Sequence, residues 1–551
     1  MSGNSSRSAV VTPLYNSDGV VQYDPTSILR VMQCHYGSLA ADITGHSLDL
    51  QYWHDPTIPR AWLCASIVSI DKKDGNPLNP GDKRGISLIN VGLKLVCKAL
   101  QMRIERFVET NNLLSYEQAG FRKREECVGQ VVSLIDIIQR RQNAGLNTHV
   151  LLIDIRKAFD TVQVGALLWK LQNMGFPRRT LAFLKALYTS SSARARAGSL
   201  LSDPFPVQRG VRQGCPLSGL LFNLFINDIL DGVVPITVPG LSQDINPIRG
   251  LMYADDVAVF ADSEQSLLAA STAIEQWANR WEMQFGVAKC GIISFTGHLA
   301  PRLDTPLDIR LHGQLVSRVE SYKYLGVLID SKLDHSAWLK QKRSALENTI
   351  SALHPVLANH QLTVNYRSRI FSAVVMGKAY YGLELVGGNK SHLAPLQTTI
   401  NQGIRLFTGA RLSTAIGPLL VETGIGSLLT RSLVSRVRLL ERSVTKKNTH
   451  QCHLLCNYSA HPFAHLVVEC EQVTGHRIQS GLVPAIQKSR LRLLGRALDP
   501  GVENVYTWLR GEVINGEADL DQRWLDGTVE HEFMGTRHDN RALAARLAEF
   551  L

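Results

Sequence analysis

Residues 1 to about 25 are polar and rich in Ser and Gly, and read as a loose leader with little function. From about Trp62 onward, short apolar runs alternate with longer segments whose apolar positions recur every three or four residues. LCASIVSI (63–70) reads as a strand, DKKDGNPLNPGDKRG (71–85) as a turn-rich tip, and ISLINVGLKLVCKALQMRIERFV as a helix. HVLLIDI (149–155) is a short apolar run between polar residues, the pattern of a strand covered on both faces, and its end places Asp154 at a sheet edge. LLFNLFINDIL reads as a buried helix entered at Pro216, because proline suits a first helical position. GLMYADDVAVFA (250–261) reads as a hairpin whose strands flank two adjacent carboxylates. Beyond about residue 332 the period turns helical, with Leu339, Leu346, Ile350 and Leu353 at helical spacing.

The chain has 551 residues, more than one hydrophobic core normally supports, so two to four packed units are expected. Lys and Arg exceed Asp and Glu by 59 to 48, a formal charge of +11, which suits a polyanionic partner such as nucleic acid or simply a basic protein. The excess is uneven: residues 430–500 hold eleven Lys and Arg against four Asp and Glu, whereas 511–551 hold four against nine. The first six cysteines (Cys34, Cys64, Cys97, Cys127, Cys215, Cys290) show no paired spacing, which argues against a secreted disulfide scaffold. No apolar run reaches membrane-spanning length and no signal-peptide pattern opens the chain, so a nuclear or cytoplasmic, non-secreted protein is expected.

Phosphoryl transfer to a 3′-hydroxyl needs the attacking oxygen and the leaving pyrophosphate clamped by two cations about 3.5–4 Å apart. Hard cations such as Mg²⁺ or Mn²⁺ prefer oxygen ligands and keep several waters, so carboxylates from different strands suffice. LLIDIRKAFD supplies Asp154 on one strand and YADD supplies Asp255 and Asp256 at a hairpin turn. An Asp at the end of a strand is often only a turn former or helix cap, and Asp160 is read that way.

The ordered run KRGISLINVGLKL, QAGFRK, LLIDIRKAFD, GVRQGCPLSGLLFNLFIND, LMYADDVAVFA and SYKYLGVLID resembles the polymerase of non-LTR (LINE-type) retrotransposons over about residues 61–331. The resemblance implies an α+β right-hand polymerase: an antiparallel palm sheet backed by helices, fingers, a thumb, and a helical C-terminal region. It implies an RNA-directed DNA polymerase that extends a DNA primer on an RNA template with deoxynucleoside triphosphates and two Mg²⁺ or Mn²⁺ ions. Asp154, Asp255 and Asp256 resemble its metal ligands, and Lys289 a general acid near the leaving pyrophosphate. Arg84, with Lys72 or Lys73, resembles the triphosphate clamp, and Phe159 the aromatic gate that crowds a ribose 2′-hydroxyl, or else a core aromatic. Gln213 and Gly214 resemble the loop supporting nucleotide and template base, and Tyr324, Leu325 and Gly326 the primer grip. Two positions depart from the pattern: Gly219 stands where proline is usual, and Lys83 where an aromatic commonly precedes the arginine.

Four units follow: an N-terminal extension (1–60), fingers and palm (61–331), a helical thumb (332–430), and a basic helical C-terminal region (431–551). In the last, Cys452, Cys456, His465 and Cys470 have knuckle-like spacing that suits one tetrahedral Zn²⁺, or else are structural residues of an apolar helix containing Leu454, Leu455, Leu466, Val467 and Val468. Two further readings stand beside the polymerase, a domesticated RNA-binding module without catalysis and a group II intron-type reverse transcriptase. Three clustered carboxylates near phosphates count against the first, and the GVRQGCPLS wording against the second.

Overall fold

The computed structural model describes residues 13–40 and 58–439 apart from 73–74, 124, 241–246, 299–304, 387–389, 430, 433–434 and 436–438, together with strands at 530–533 and 536–539. The chain enters through a helix, α1 (Pro25–Ala40), followed by strands β1 (Cys64–Asp71) and β2 (Lys83–Leu88) and the long helices α2 (Val91–Thr110) and α3 (Cys127–Asn143). Strands β3 (Thr148–Asp154) and β4 (Ser192–Ala197) come next, then helix α4 (Ser218–Ile226) and the hairpin β5 (Gly250–Tyr253) and β6 (Asp256–Ala261). Strand β7 (Gly291–Phe295) precedes a helical stretch dominated by α5 (Ser336–Leu357) and α6 (Lys390–Thr408).

One sheet has the order β7-β3-β6-β5, all antiparallel, with a two-residue strand at Ser317–Arg318 added parallel to β7. The sheet expected as the palm is therefore antiparallel except at that edge. Every residue of β3 from Thr148 to Ile153 is buried, and alternation explains why an unbroken apolar run is needed. Val150, Leu152, Ala258 and Phe260 face a core shared with α3 and with α5 and α6. Leu151, Ile153, Val257 and Val259 face a second core built on Leu221, Phe225 and other residues of α4.

A second sheet, in the part expected as fingers, joins β2, β1 and β4, with β1 antiparallel to β2 and parallel to β4. Ala193, Ala195 and Ala197 of β4 and Ala65 and Ile67 of β1 are buried on one face, where α1 lies with Ile28, Met32 and Tyr36. Tyr36 passes so close to Gly85 that a Cβ there would lie 2.6 Å from its ring, and the Tyr36 hydroxyl hydrogen bonds Ser69 at 2.8 Å. Leu14 and Tyr15 are also tied in, Tyr15 N–H donating to Leu78 O at 2.6 Å. The leader and extension read from the sequence thus include residues, Leu14 and those of α1, that complete this core over the small side chains of β4.

The helix expected from Ile86 starts instead at Val91. Ile86 to Leu88 pair with Ser66 to Val68, and Asn90 caps the helix by accepting from Gly92 N–H at 2.8 Å. The buried helix expected at Pro216 begins at Ser218 and is buried at eight of its nine residues.

Candidate active site

The β5–β6 hairpin turns through Ala254 and Asp255, with Tyr253 facing Asp256 across it and Ala254 at φ +56°. A two-residue turn with a left-handed first position matches the twist of the flanking strands, so the sequence YADD folds into the tightest hairpin available. On the other side of β6, Asp256 faces Asp154 in register. Desolvation, followed by the Asp154 charge, raises the Asp255 carboxyl, and Arg84 opposes the shift. Asp256 is exposed along part of its side chain, yet the protein crowding its carboxyl and the charges of Asp255 and Asp154 push it up to about 7. Among the described residues no group of three or more His, Cys, Asp or Glu side chains stands close enough to hold a metal ion. The three carboxylates share one sheet edge without closing into a ligand cage. Their chemistry fits a hard divalent cation: all donors are oxygens, and a cation would offset the burial that raises all three and the like-charge repulsion that adds to it at Asp255 and Asp256.

Two residues that the sequence alone did not single out hold Asp154. A Cβ on Gly286 would lie 2.5 Å from Asp154 Oδ2, and Gly286 N–H donates to Asp154 O at 2.8 Å. Asp154 N–H points to Cys290 Sγ at 3.5 Å, where burial pushes the thiol up to about 11. Lys289, exposed in the short turn between them, and Lys72 lower the Asp154 carboxyl against the larger effect of its burial.

Gln213 and Gly214 are fixed by the fingers: Ser87 N–H donates to Gln213 O at 2.7 Å, and a Cβ on Gly214, at φ +121°, would meet Ser87 O at 2.5 Å. Asp160 lies in a one-turn helix, Ala158–Thr161, and its Oδ1 accepts from Gln213 Nε2 at 3.0 Å. Phe159 is half-buried, stacked on Phe222 at 4.8 Å and edge-on to Phe121 at 5.9 Å. Gly219, where proline was usual, makes room for this cluster, since a Cβ there would lie 2.6 Å from the Phe121 ring. Lys83 is buried and paired with Asp71, which accounts for a lysine in place of an aromatic. Lys72 donates to Gly81 O at 3.0 Å, and Lys73 lies outside the described residues. Lys157 went unnoticed in the sequence: it sits at φ +51° before the Phe159 turn, where burial lowers its ammonium and Asp160 opposes the shift.

Tyr324 is buried with its hydroxyl unbonded, so its side chain belongs to the core. Leu325 and Gly326, at φ +45° and +81°, form a tight two-residue turn whose carbonyl at Leu325 accepts from the Tyr381 hydroxyl. Gly326 is exposed at this turn, and the Leu325 side chain is half-buried against the core. Cys452, Cys456, His465 and Cys470 lie outside the described residues. No helix among the described residues is long and apolar enough to cross a membrane.

Residues 70–329 match the family model described as reverse transcriptase (RNA-dependent DNA polymerase). The chain is 26% identical over 372 residues to the RNA-directed DNA polymerase from mobile element jockey of Drosophila melanogaster, covering 66% of this chain and 39% of that one. It is 26% identical over 369 residues to a probable RNA-directed DNA polymerase from transposon X-element of the same fly, covering 65% and 38%. A Pol polyprotein from type-1 retrotransposable element R2 of Popillia japonica is 27% identical over 278 residues, covering 49% and 38%. The chain therefore spans about two fifths of the length of the curated relatives it matches.

Proposed function

We propose that this chain, whose residues 70–329 match the reverse transcriptase model and whose relatives include polymerases of mobile elements, extends a DNA primer 3′ end on an RNA template with deoxynucleoside triphosphates. The observation that carries this reading is Asp154 opposite Asp256 in register, with Asp255 at the adjoining turn and Arg84 near enough to oppose its shift. Asp154, Asp255 and Asp256 would hold two Mg²⁺ or Mn²⁺ ions, which when bound supply the charge that activates the 3′-oxygen and stabilises the leaving pyrophosphate.

The chain's own residues do the rest. Arg84 offers a planar fork to the triphosphate, and Lys72 and Lys73 add point charges from the fingertip. Lys289, beside Asp154, donates a proton to the departing pyrophosphate. Phe159, braced by Phe222 and Phe121, blocks the space a ribose 2′-hydroxyl would need. Gln213 and Gly214 support the nucleotide and template base. The Leu325–Gly326 backbone presses on the primer end, and the helical unit 332–430, anchored to it through Tyr381, acts as the thumb.

The template meets the uncovered face of the fingers sheet. In register, Arg194 lies beside Ser66 and Leu88, Arg196 beside Val68 and Ile86, and Arg84 beside Ile70, all on the face away from α1. Arg194 and Arg196 are exposed there, a charge complement to phosphate. Primer extension on a homopolymeric RNA template with Mg²⁺ or Mn²⁺ tests the proposal. Incorporation of deoxynucleotides with discrimination against ribonucleotides is expected. RNA binding without incorporation would replace the polymerase by a binding module.

A further inference from the structure

Gln118, Ala119 and Gly120, the residues just before the Phe121 that braces Phe159, pack directly against the turn that bears the carboxylates. Ala119 N–H donates to Met252 O and Met252 N–H donates to Glu117 O, both at 2.8 Å, so the segment forms a short parallel bridge along the outer edge of β5. The Gln118 side chain is fully buried. Its Oε1 accepts from Ala254 N–H at 2.9 Å and from Gly120 N–H at 2.8 Å, and its Nε2 reaches Ala254 O at 3.5 Å.

Ala254 is the residue held at positive φ immediately before Asp255. A left-handed alanine is unfavourable and persists only where its surroundings over-determine it. The same contact leaves no room at position 120, where a Cβ would lie 2.2 Å from Ala254 N. The segment is itself fixed, because Asn223 Nδ2 donates to Gly120 O and Gln130 Nε2 donates to Met252 O at 3.1 Å.

We infer that Gln118 is a positioning residue: its amide oxygen locks Ala254 in the left-handed turn and thereby sets where Asp255 and Asp256 point, with Gly120 as the socket floor. This inference rests on the polymerase reading for its consequence and on the geometry alone for the lock. Glutamine is suited to the task because one oxygen can accept from two amides at once.

The test compares Gln118→Met, which keeps length and removes the acceptor, with Gln118→Glu, which keeps the acceptor. Hydrogen exchange of the Ala254 amide is followed in metal-free protein, and single-nucleotide extension in the complete reaction. Gln118→Met should accelerate exchange and slow extension by about 10- to 100-fold each, with the nucleotide KM within about threefold of wild type, as for loss of a buried acceptor. Gln118→Glu should recover most of both. Wild-type exchange and rate in Gln118→Met, or equal damage in the two variants, would overturn the inference. If Gln118→Met does not fold, Ala254 amide exchange in Gln118→Glu decides alone: protection within about tenfold of wild type supports the lock, and a deeper loss of protection overturns it. An inactive wild-type chain would defeat the polymerase reading instead, while exchange at Ala254 still tests the lock.

Discussion

Asp154 is placed by a residue that carries no chemistry of its own. With 2.5 Å between a would-be Cβ at position 286 and Asp154 Oδ2, Gly286→Ala must displace the carboxylate or its strand. A misplacement near 1 Å costs about 10²-fold in rate, so the variant should extend primers about a hundredfold more slowly while its thermal midpoint stays near wild type. Calorimetry beside steady-state kinetics checks the split. Asp256 gives a second residue-scale prediction. Its carboxyl, pushed up to about 7 by crowding and by Asp255 and Asp154, must lose its proton before it can serve a cation. Lys289 and Lys72 face Asp154 and Arg84 faces Asp255, and all three favour the ionised forms. Activity should therefore fall as pH drops through about 7, and the midpoint should move to lower pH as Mg²⁺ is raised. A pH–rate profile at two Mg²⁺ concentrations measures this, and a midpoint indifferent to Mg²⁺ would contradict it.

Among the elements, β4 divides its work by alternation, with Ala193, Ala195 and Ala197 packed under α1 and Arg194 and Arg196 exposed on the opposite face. Arg194→Ala and Arg196→Ala should each weaken RNA-template binding across sequences and lower the salt slope of log affinity by about one, read by fluorescence anisotropy over a salt series. An unchanged slope would remove this face from the template path. The strands and the carboxylate hairpin were legible in the sequence because their signals are local: an apolar run ending in Asp154, and YADD between two strand-like halves. The start of α2 was not, since Ile86 to Leu88 suit helix and strand alike and only pairing with β1 decides. The role of Gly286, and of Gly120 and Gln118 within the motif QAGFRK, was illegible for a related reason. Their importance lies in contacts with Asp154 and Ala254, more than a hundred residues away in the chain, and no period or spacing encodes such a contact.

At the scale of the whole molecule, two cores share the palm sheet while a third, smaller one joins α1 to the fingers. Removing residues 1–41 should uncover the alanine face of β4 and the space Tyr36 fills over Gly85, lowering the thermal midpoint by at least about 4 °C and opening the fingers to protease. A truncated chain with an unchanged midpoint would show that α1 is dispensable cover. The central claim is that acidic side chains brought together at the edge of β3 and β6 drive nucleotide addition. Single-turnover incorporation of one deoxynucleotide on an RNA–DNA hybrid with Mg²⁺, comparing wild type with Asp255→Asn, tests it most directly. Wild type should add the nucleotide, and Asp255→Asn should be slower by roughly 10³-fold with hybrid binding retained. Equal incorporation by both would contradict the assignment.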